Sequence, residues 1–220
     1  MIRKLLFDMK SIWRCLALMA FISMAALPAV NHFQSKGFPP QDTIGPVLFQ
    51  AQLILPAACA IPVAMLLYRR FDDGPMEVLH AIPSVCQTGA RSVLLLEGVC
   101  LLLCLPAFIW YVRLYGVFLW QEWLRTMAQA FFLQNLAYAA VYLTHFHLAG
   151  IAAQVLTVGL LQYPLTVIET GDSLFQLLNI YETITPSAPR PWNPLRLTLV
   201  LICGILLWVT GARREKFFLE

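Results

Sequence analysis

Six long apolar stretches constrain this chain more than any other feature of its sequence. Each is close to the roughly 20 residues that a helix rising about 1.5 Å per residue needs to cross a bilayer. Because the bilayer core holds no water, the backbone there must satisfy its own hydrogen bonds, so each stretch is expected to be helical. The fold class is therefore an all-α membrane protein with six transmembrane helices in one domain, 1–220. The predicted spans are about 12–30, 47–68, 92–112, 123–144, 148–168 and 195–211.

The composition excludes several other classes of protein. Of the 220 residues, 60% are hydrophobic and 12% are charged, whereas a soluble domain carries about 25% charged residues. This excludes a disordered chain and a nucleic-acid binder with a broad basic face, and it argues against a soluble enzyme. Six spans use roughly 120 residues, which leaves no room for a soluble catalytic domain.

The six cysteines are interpreted as small apolar core residues. Most lie inside apolar runs, and none forms a C-x-x-C pair, so a structural zinc site is not expected. We predict no metal site in this chain. The cysteines are Cys15, Cys59, Cys86, Cys100, Cys104 and Cys203.

The distribution of Lys and Arg predicts the orientation of the spans. Ten of the 15 basic residues fall in the N-terminal segment, the loop after the second span and the C-terminal tail. The positive-inside rule then puts both termini in the cytosol of a multi-pass protein of the cell membrane. The five basic residues assigned to the outer side are Lys36, Arg113, Arg125, Arg190 and Arg196.

Two segments outside the spans have their own patterns. Residues 1–12 place apolar side chains on one face and basic ones beside it, which is typical of an amphipathic interfacial helix; a frayed terminus is the alternative. The apolar run that follows is also compatible with a cleaved signal peptide, but its length favours a retained span. The outer loop 169–194 holds a short apolar piece, 174–178, that is expected to be a re-entrant or interfacial helix.

The loop between the second and third spans carries the most specific local signals. Gly74 suits an N-cap, Pro75 suits the first helical position, and Glu77 suits the third, where a carboxylate favours the start of a helix. Pro83 ends the helix. The pattern predicts a short, two-turn cytosolic helix over 75–82.

This short helix is amphipathic and separated from its neighbours. Met76, Leu79 and Ile82 recur at i, i+3 and i+6 and form one apolar stripe. The next four residues, 84–87, have the S-x-x-Q form of a capping box, so a new helix is expected to start there and continue into the third span. The short helix can therefore lie across the membrane surface rather than along its normal.

Residues 73–84 resemble the coupling helix of ABC-2-type transporter permeases, although Pro75 stands where that family more often has threonine. The layout is similar as well, with six spans, cytosolic ends and a long outer loop between the fifth and sixth spans. The resemblance implies the membrane-spanning subunit of an ATP-driven exporter of a hydrophobic or amphipathic substrate. The residues that it implies for ATPase coupling are Met76, Glu77, Leu79, His80, Ile82, Pro83 and Ser84.

The resemblance also implies partners and assigns the chemistry to them. No lysine follows a glycine, so the chain has no G-K-[ST] phosphate-binding loop. ATP and Mg are therefore expected in a separate ABC ATPase subunit, and this chain is expected to be a non-enzymatic subunit without a cofactor. It is expected to pair through spans 1 and 5 with itself or with a second permease.

Polar residues near and within the spans give further candidates. His145 and His147, at the turn between the fourth and fifth spans, are interpreted as a polar turn or a second ATPase contact, because a closed metal site needs about four ligands. Glu97 lies about two turns inside the third span, where an ionisable residue suggests function. A structural partner such as Arg14 is the alternative.

Amide side chains in the spans suggest a substrate path. Amides in hydrocarbon usually bond across helices, and they can also line a path. The resemblance places spans 2 and 5 beside the dimer interface, which makes the amides there the better candidates. The predicted path residues are Gln50, Gln52, Glu97, Gln154 and Gln162.

Two other classes of function stay open. The first is a six-span accessory or membrane-sensor protein without an ATPase partner, and co-purification of an ATPase would distinguish it from a permease. The second is an intramembrane enzyme, which ranks last because the spans hold no paired His or acidic cluster.

For an exporter, the sequence does not name the cargo. An antimicrobial peptide, a hydrophobic drug, a lipid-linked glycan and haem are the candidates.

Overall fold

A computed structural model describes residues 10, 12–72, 88–116, 119–146, 148–162 and 194–217. Within these ranges the regular structure is helical throughout, without strands. The predicted N-terminal helix, apart from residues 10 and 12, lies outside the described residues. So do the predicted coupling helix 75–82, the end of the fifth predicted span, 163–168, and the apolar piece 174–178 of the outer loop. The helices are α1 (Trp13–Phe21, Ile22–Ala26 and Leu27–Ser35), α2 (Pro40–Asp72), α3 (Thr88–Tyr115), α4 (Trp120–Thr144), α5 (Ala149–Leu156 and Thr157–Gln162) and α6 (Pro194–Phe217).

Four of the described helices are long and apolar enough to cross a membrane. They coincide with the first, second, third and sixth predicted spans, which confirms an all-helical fold of membrane type. The fourth predicted span corresponds to α4, which is 25 residues long but more polar. The apolar part of α5, Ala149–Gly159, is shorter. The four long apolar stretches are Trp13–Ser35, Thr43–Tyr68, Gly89–Tyr115 and Pro194–Glu215.

Helix α4 is the centre of the bundle. It packs against α2, α3, α5 and α6. A helix enclosed by other helices meets protein rather than lipid, so its polar side chains find partners on its neighbours. This is why α4, which is too polar to be counted among the four spanning candidates, is nevertheless enclosed by other helices. Its buried polar side chains include Arg125, Thr126, Gln129, Gln134 and Asn135.

Side-chain contacts show which ends of the long helices lie together. Asn31 near the end of α1 bonds to Tyr111 near the end of α3, and Gln52 in the first half of α2 bonds to Glu122 near the start of α4. The start of α3 meets Glu215 near the end of α6. We call the two ends of the bundle the Glu122 end and the Glu215 end.

Helices α1 and α6 carry much of the apolar surface. Phe21, Phe33 and Leu206 are at least 60% exposed. Soluble monomers rarely expose extended apolar patches, whereas lipid tails accept such side chains without cost. The exposed faces of α1 and α6 are therefore the surfaces that suit lipid, or a second membrane subunit.

Candidate functional site: polar contacts inside the helix bundle

The residues predicted to contact an ATPase, 76–84, lie outside the described residues, and so does His147. His145 is described and exposed. It ends α4 in the left-handed conformation, with φ 58°, and its backbone N–H donates to the Val141 carbonyl at 2.9 Å. The structure therefore places His145 on an accessible turn at the Glu215 end, the end at which α3 begins.

Glu97 lies inside α3 and is bound to the central helix. Asn135 Nδ2 donates to Glu97 Oε1 at 2.8 Å and to the Phe131 carbonyl, also at 2.8 Å. Glu97 is 6% exposed. Arg14, the alternative partner considered from the sequence, is exposed, and its guanidinium lies 5.9 Å from the centre of the Trp13 ring. Glu97 thus joins α3 to α4 through an amide.

Asn135→Leu is expected to destabilise the protein, and adding Glu97→Met to it is expected to restore most of the lost stability. The single variant leaves a buried carboxyl group without its hydrogen-bond donor, at a cost of about 1–3 kcal/mol in the free energy of unfolding. Replacing both partners by apolar side chains of similar size is close to neutral, so Glu97→Met with Asn135→Leu should recover most of the loss. Reversible unfolding in detergent micelles measures both. A double variant as unstable as Asn135→Leu would contradict this pairing.

Gln52 belongs to a charged cluster at the Glu122 end. Its Nε2 donates to Glu122 Oε2 at 2.9 Å, and Arg125 Nη1 donates to both oxygens of the same carboxylate at 2.9 Å. Arg125, one of the basic residues assigned to the outer side from the sequence, lies within α4 and is 7% exposed. Arg125 is buried and Glu122 partly buried, so losing one partner leaves a charge with little access to water and is costly. The cluster therefore fixes the start of α4 against α2.

Gln154 connects three helices. Its Nε2 donates to the carbonyls of Leu133 at 3.2 Å and Ala60 at 3.4 Å. Gln134 similarly donates to the Cys59 carbonyl at 2.8 Å. The carbonyls of Cys59 and Ala60 lie beside the break in α2 that Pro62 makes, where the Ala58 carbonyl lacks its usual donor. Side-chain amides of Gln134 and Gln154 thus bond α2 to its neighbours next to this break.

The predicted path residues are not gathered in one place among the described side chains. Gln52 lies at the Glu122 end, while Glu97 and Gln154 contact different faces of α4. The Gln50 side chain is half-buried, and its Oε1 is buried without a hydrogen-bond partner in the described part of the chain. Gln162 is the last described residue of α5, and its side chain is not described.

Three cysteines pack where α2 meets α3. Cys59, Cys100 and Cys104 are at most 1% exposed, and the Sγ atoms of Cys59 and Cys104 are 3.5 Å apart without a disulfide. Their burial confirms the interpretation of these three as small core residues. The same interpretation is wrong for Cys203, which is exposed on α6, and Cys15 is only partly buried. In the part of the chain that is described, no group of three or more His, Cys, Asp or Glu side chains is arranged to hold a metal ion.

Sequence reasoning missed Glu215, whose carboxylate accepts three hydrogen bonds. Glu215 lies beyond the sixth predicted span, 195–211, but α6 continues to Phe217 and Glu215 is 3% exposed. Its Oε1 accepts from the Gly89 N–H at 2.7 Å. Its Oε2 accepts from the Ala90 N–H at 3.0 Å and from the Tyr138 hydroxyl at 2.6 Å. We call these four residues the Glu215 cluster.

The Glu215 cluster completes the start of α3. The first backbone N–H groups of a helix have no partner within the helix, and a carboxylate near them is favoured by the helix dipole. A cap usually comes from the residue just before the helix, whereas this one comes from 126 positions along the chain. Trp208 adds a bond from its Nε1 to the Ala90 carbonyl at 3.4 Å.

A periodic signal in the sequence could have found Glu215. Gly204, Trp208, Gly211 and Glu215 recur at i, i+4, i+7 and i+11, which places them on one face of a helix. Both glycines meet aromatic side chains of α4. A face that begins with packed glycines predicts that the acidic residue at its end is also turned toward a neighbouring helix.

No family model matches the chain, and no match was found among curated proteins or solved structures. The fold and the contacts described above define a class instead. The chain is an α-helical protein of membrane type, in which one polar central helix is bonded to its neighbours at both ends and in the middle.

Proposed function

We propose that this chain is the membrane-spanning permease subunit of an ATP-driven ABC-2-type transporter, acting as an exporter of a hydrophobic or amphipathic substrate. The observation that carries the proposal is the segment between the second and third spans, in which Gly74, Glu77 and Pro83 have the spacing of a coupling helix. The helical bundle supports it, because α2 and α3, the helices on either side of this segment, are both long and apolar enough to span a membrane.

The proposed mechanism is mechanical. A separate ABC ATPase binds ATP and Mg, and its closure displaces the short helix 75–82. Because α2 ends at Asp72 and α3 begins at Thr88, a displacement of the connecting segment acts on both helices. Packed helices respond to such a displacement by rigid-body tilting rather than by continuous deformation. A second copy or a sister permease completes the path through α1 and α5.

Both termini are expected in the cytosol. Cysteine introduced at Arg214, which is exposed near the end of α6, should resist an impermeant maleimide in intact cells and react once the cells are opened. The native cysteines are replaced beforehand. Cysteine at Lys36, exposed on the turn after α1, is the matched control and should react in intact cells. The reverse pattern would overturn the orientation and with it the cytosolic position of the segment 75–82.

Co-purification tests the function itself. The tagged chain, expressed at natural levels and extracted in mild detergent, should retain an ABC ATPase whose hydrolysis responds to substrate. The accessory or membrane-sensor protein is the alternative outcome, and it would be recognised by the absence of any ATPase from the purified material. Such a result would remove the permease proposal.

A further inference from the structure

We infer that Glu215 is a positioning residue that fixes the first turn of α3 to α4 and α6. The segment 73–87 leads directly into this turn of α3. A displacement of the segment would therefore be transferred through the fixed turn to α4 and α6. In this respect the inference rests on the proposed function and deepens it. The positioning itself rests on the geometry of the Glu215 cluster and not on the presence of an ATPase.

The strength of the contact follows from its chemistry. Hydrogen bonds to an ionised acceptor are shorter and stronger than neutral ones, and the three bonds to the Glu215 carboxylate measure 2.6, 2.7 and 3.0 Å. The group is 3% exposed, so water competes little for these donors. Tyr138 is itself fully buried and packs edge-on against Tyr142, with ring centres 5.0 Å apart. The hydroxyl therefore cannot follow the carboxylate if the carboxylate moves.

Two glycines allow the helices to approach this closely. A Cβ atom at Gly89 would lie 2.5 Å from Glu215 Oε1, and one at Gly211 would lie 2.5 Å from the Tyr138 ring. A side chain at either position would displace a member of the cluster. Gly89 at the start of α3 therefore leaves room for the Glu215 carboxylate, and Gly211 near the end of α6 leaves room for the Tyr138 ring.

The cluster contributes hydrogen bonds between α6 and α3. Helix α6 packs mainly along α4. Gly89 and Ala90 of α3 donate to Glu215 of α6, and Trp208 of α6 donates to the Ala90 carbonyl. Removing the carboxylate removes the first two of these bonds, so it should loosen the contact between the two helices locally without unfolding the bundle.

Hydrogen exchange tests the inference on the full chain in detergent or nanodiscs. The N–H groups of Gly89 and Ala90 donate to the Glu215 carboxylate, so their protection from exchange is expected to depend on Glu215. Glu215→Gln should raise their exchange rate about tenfold or more, consistent with the loss of bonds to a charged group. The middle of α3 and α4 should stay protected, which distinguishes a local effect from general destabilisation.

Two further variants make the test specific. Tyr138→Phe removes one of the three bonds and should give a smaller rise, and combining it with Glu215→Gln should add little, because both changes act on one cluster. Arg214→Gln, one residue away and exposed, should leave exchange unchanged. Unchanged exchange in Glu215→Gln, or an equal rise in Arg214→Gln, would overturn the inference.

A second readout connects the cluster to transport. In the complex with its ATPase, Glu215→Gln should retain the ATPase but lose about tenfold or more of the substrate-stimulated hydrolysis. Full stimulation despite raised exchange would overturn a role of the cluster in transfer of movement while leaving the proposed function intact. If no ATPase co-purifies with the unmodified chain, the proposed function fails, whereas the exchange experiment still decides the positioning role.

Discussion

Leu79→Asp should release the partner ATPase or uncouple its hydrolysis from transport, while the chain still inserts into the membrane. Leu79 is the middle residue of the apolar stripe that it forms with Met76 and Ile82. Burying such a side chain in a groove contributes about 1.5–3 kcal/mol before the costs of association. A carboxylate at the centre of the stripe reverses this contribution, because its charge must be desolvated in an apolar groove. The effect is expected to be close to complete.

The measurement is co-purification of the ATPase together with substrate-stimulated hydrolysis. Lys36→Asp is the control, since Lys36 is exposed on the turn between α1 and α2, at the opposite end of the bundle. It should keep both properties. If Leu79→Asp binds and couples as well as the unmodified chain, the segment 75–82 is not a coupling helix and the proposed function loses its main support.

The positions of the helices could be predicted from the sequence because hydropathy reports contact with lipid. Each described helix overlaps one predicted span. Except for α5, whose described residues stop at Gln162, the helices are longer than the spans, as α2 shows by covering Pro40–Asp72 where 47–68 was predicted. Hydropathy detects only the apolar middle of a helix, whereas backbone hydrogen bonding continues into the polar ends. The boundaries of spans are therefore systematically underestimated by an apolar count.

The partners of the polar side chains could not be predicted in the same way. Composition shows that Glu97 needs a partner, but not which face of which helix supplies it. Its donor, Asn135, is 38 positions away and was one of several amides in the spans. Which donor reaches Glu97 is decided by the packing of α3 on α4, and this packing depends on side-chain shapes across the interface. The Arg14 alternative relied on nearness to the same membrane surface, and this is a weaker constraint than packing.

Arg125 and Glu215 show the same limitation for charged residues. A simple count treats charged residues near the ends of spans as solvated, but these two are 7% and 3% exposed. Arg125 is bonded to Glu122 one turn away, a spacing that the sequence does contain. Glu215 is bonded to α3 and α4. In the sequence, only its position on the same face of α6 as Gly211 indicates these contacts. Local spacing is therefore the more informative signal for charges at the ends of buried helices.

Gly211→Ala should destabilise the protein although alanine is the better helix former. The added Cβ would lie 2.5 Å from both Cδ1 and Cε1 of Tyr138. That ring cannot move aside, because its hydroxyl is bonded to Glu215 and its edge packs against Tyr142. Overpacking of this kind costs about 1–3 kcal/mol. The expected result is a decrease in the free energy of unfolding, measured by reversible denaturation in micelles and followed by circular dichroism.

Gly98→Ala is the matched control for this effect. Gly98 is also inside a long helix, but no atom lies within 4 Å of a Cβ added there. Only the change in helix propensity remains, which favours alanine by about 1 kcal/mol. The two substitutions are chemically identical and should shift the free energy of unfolding in opposite directions. If both stabilise the protein, α6 and α4 are not packed through Gly211, and Tyr138 is not held where the Glu215 cluster requires it.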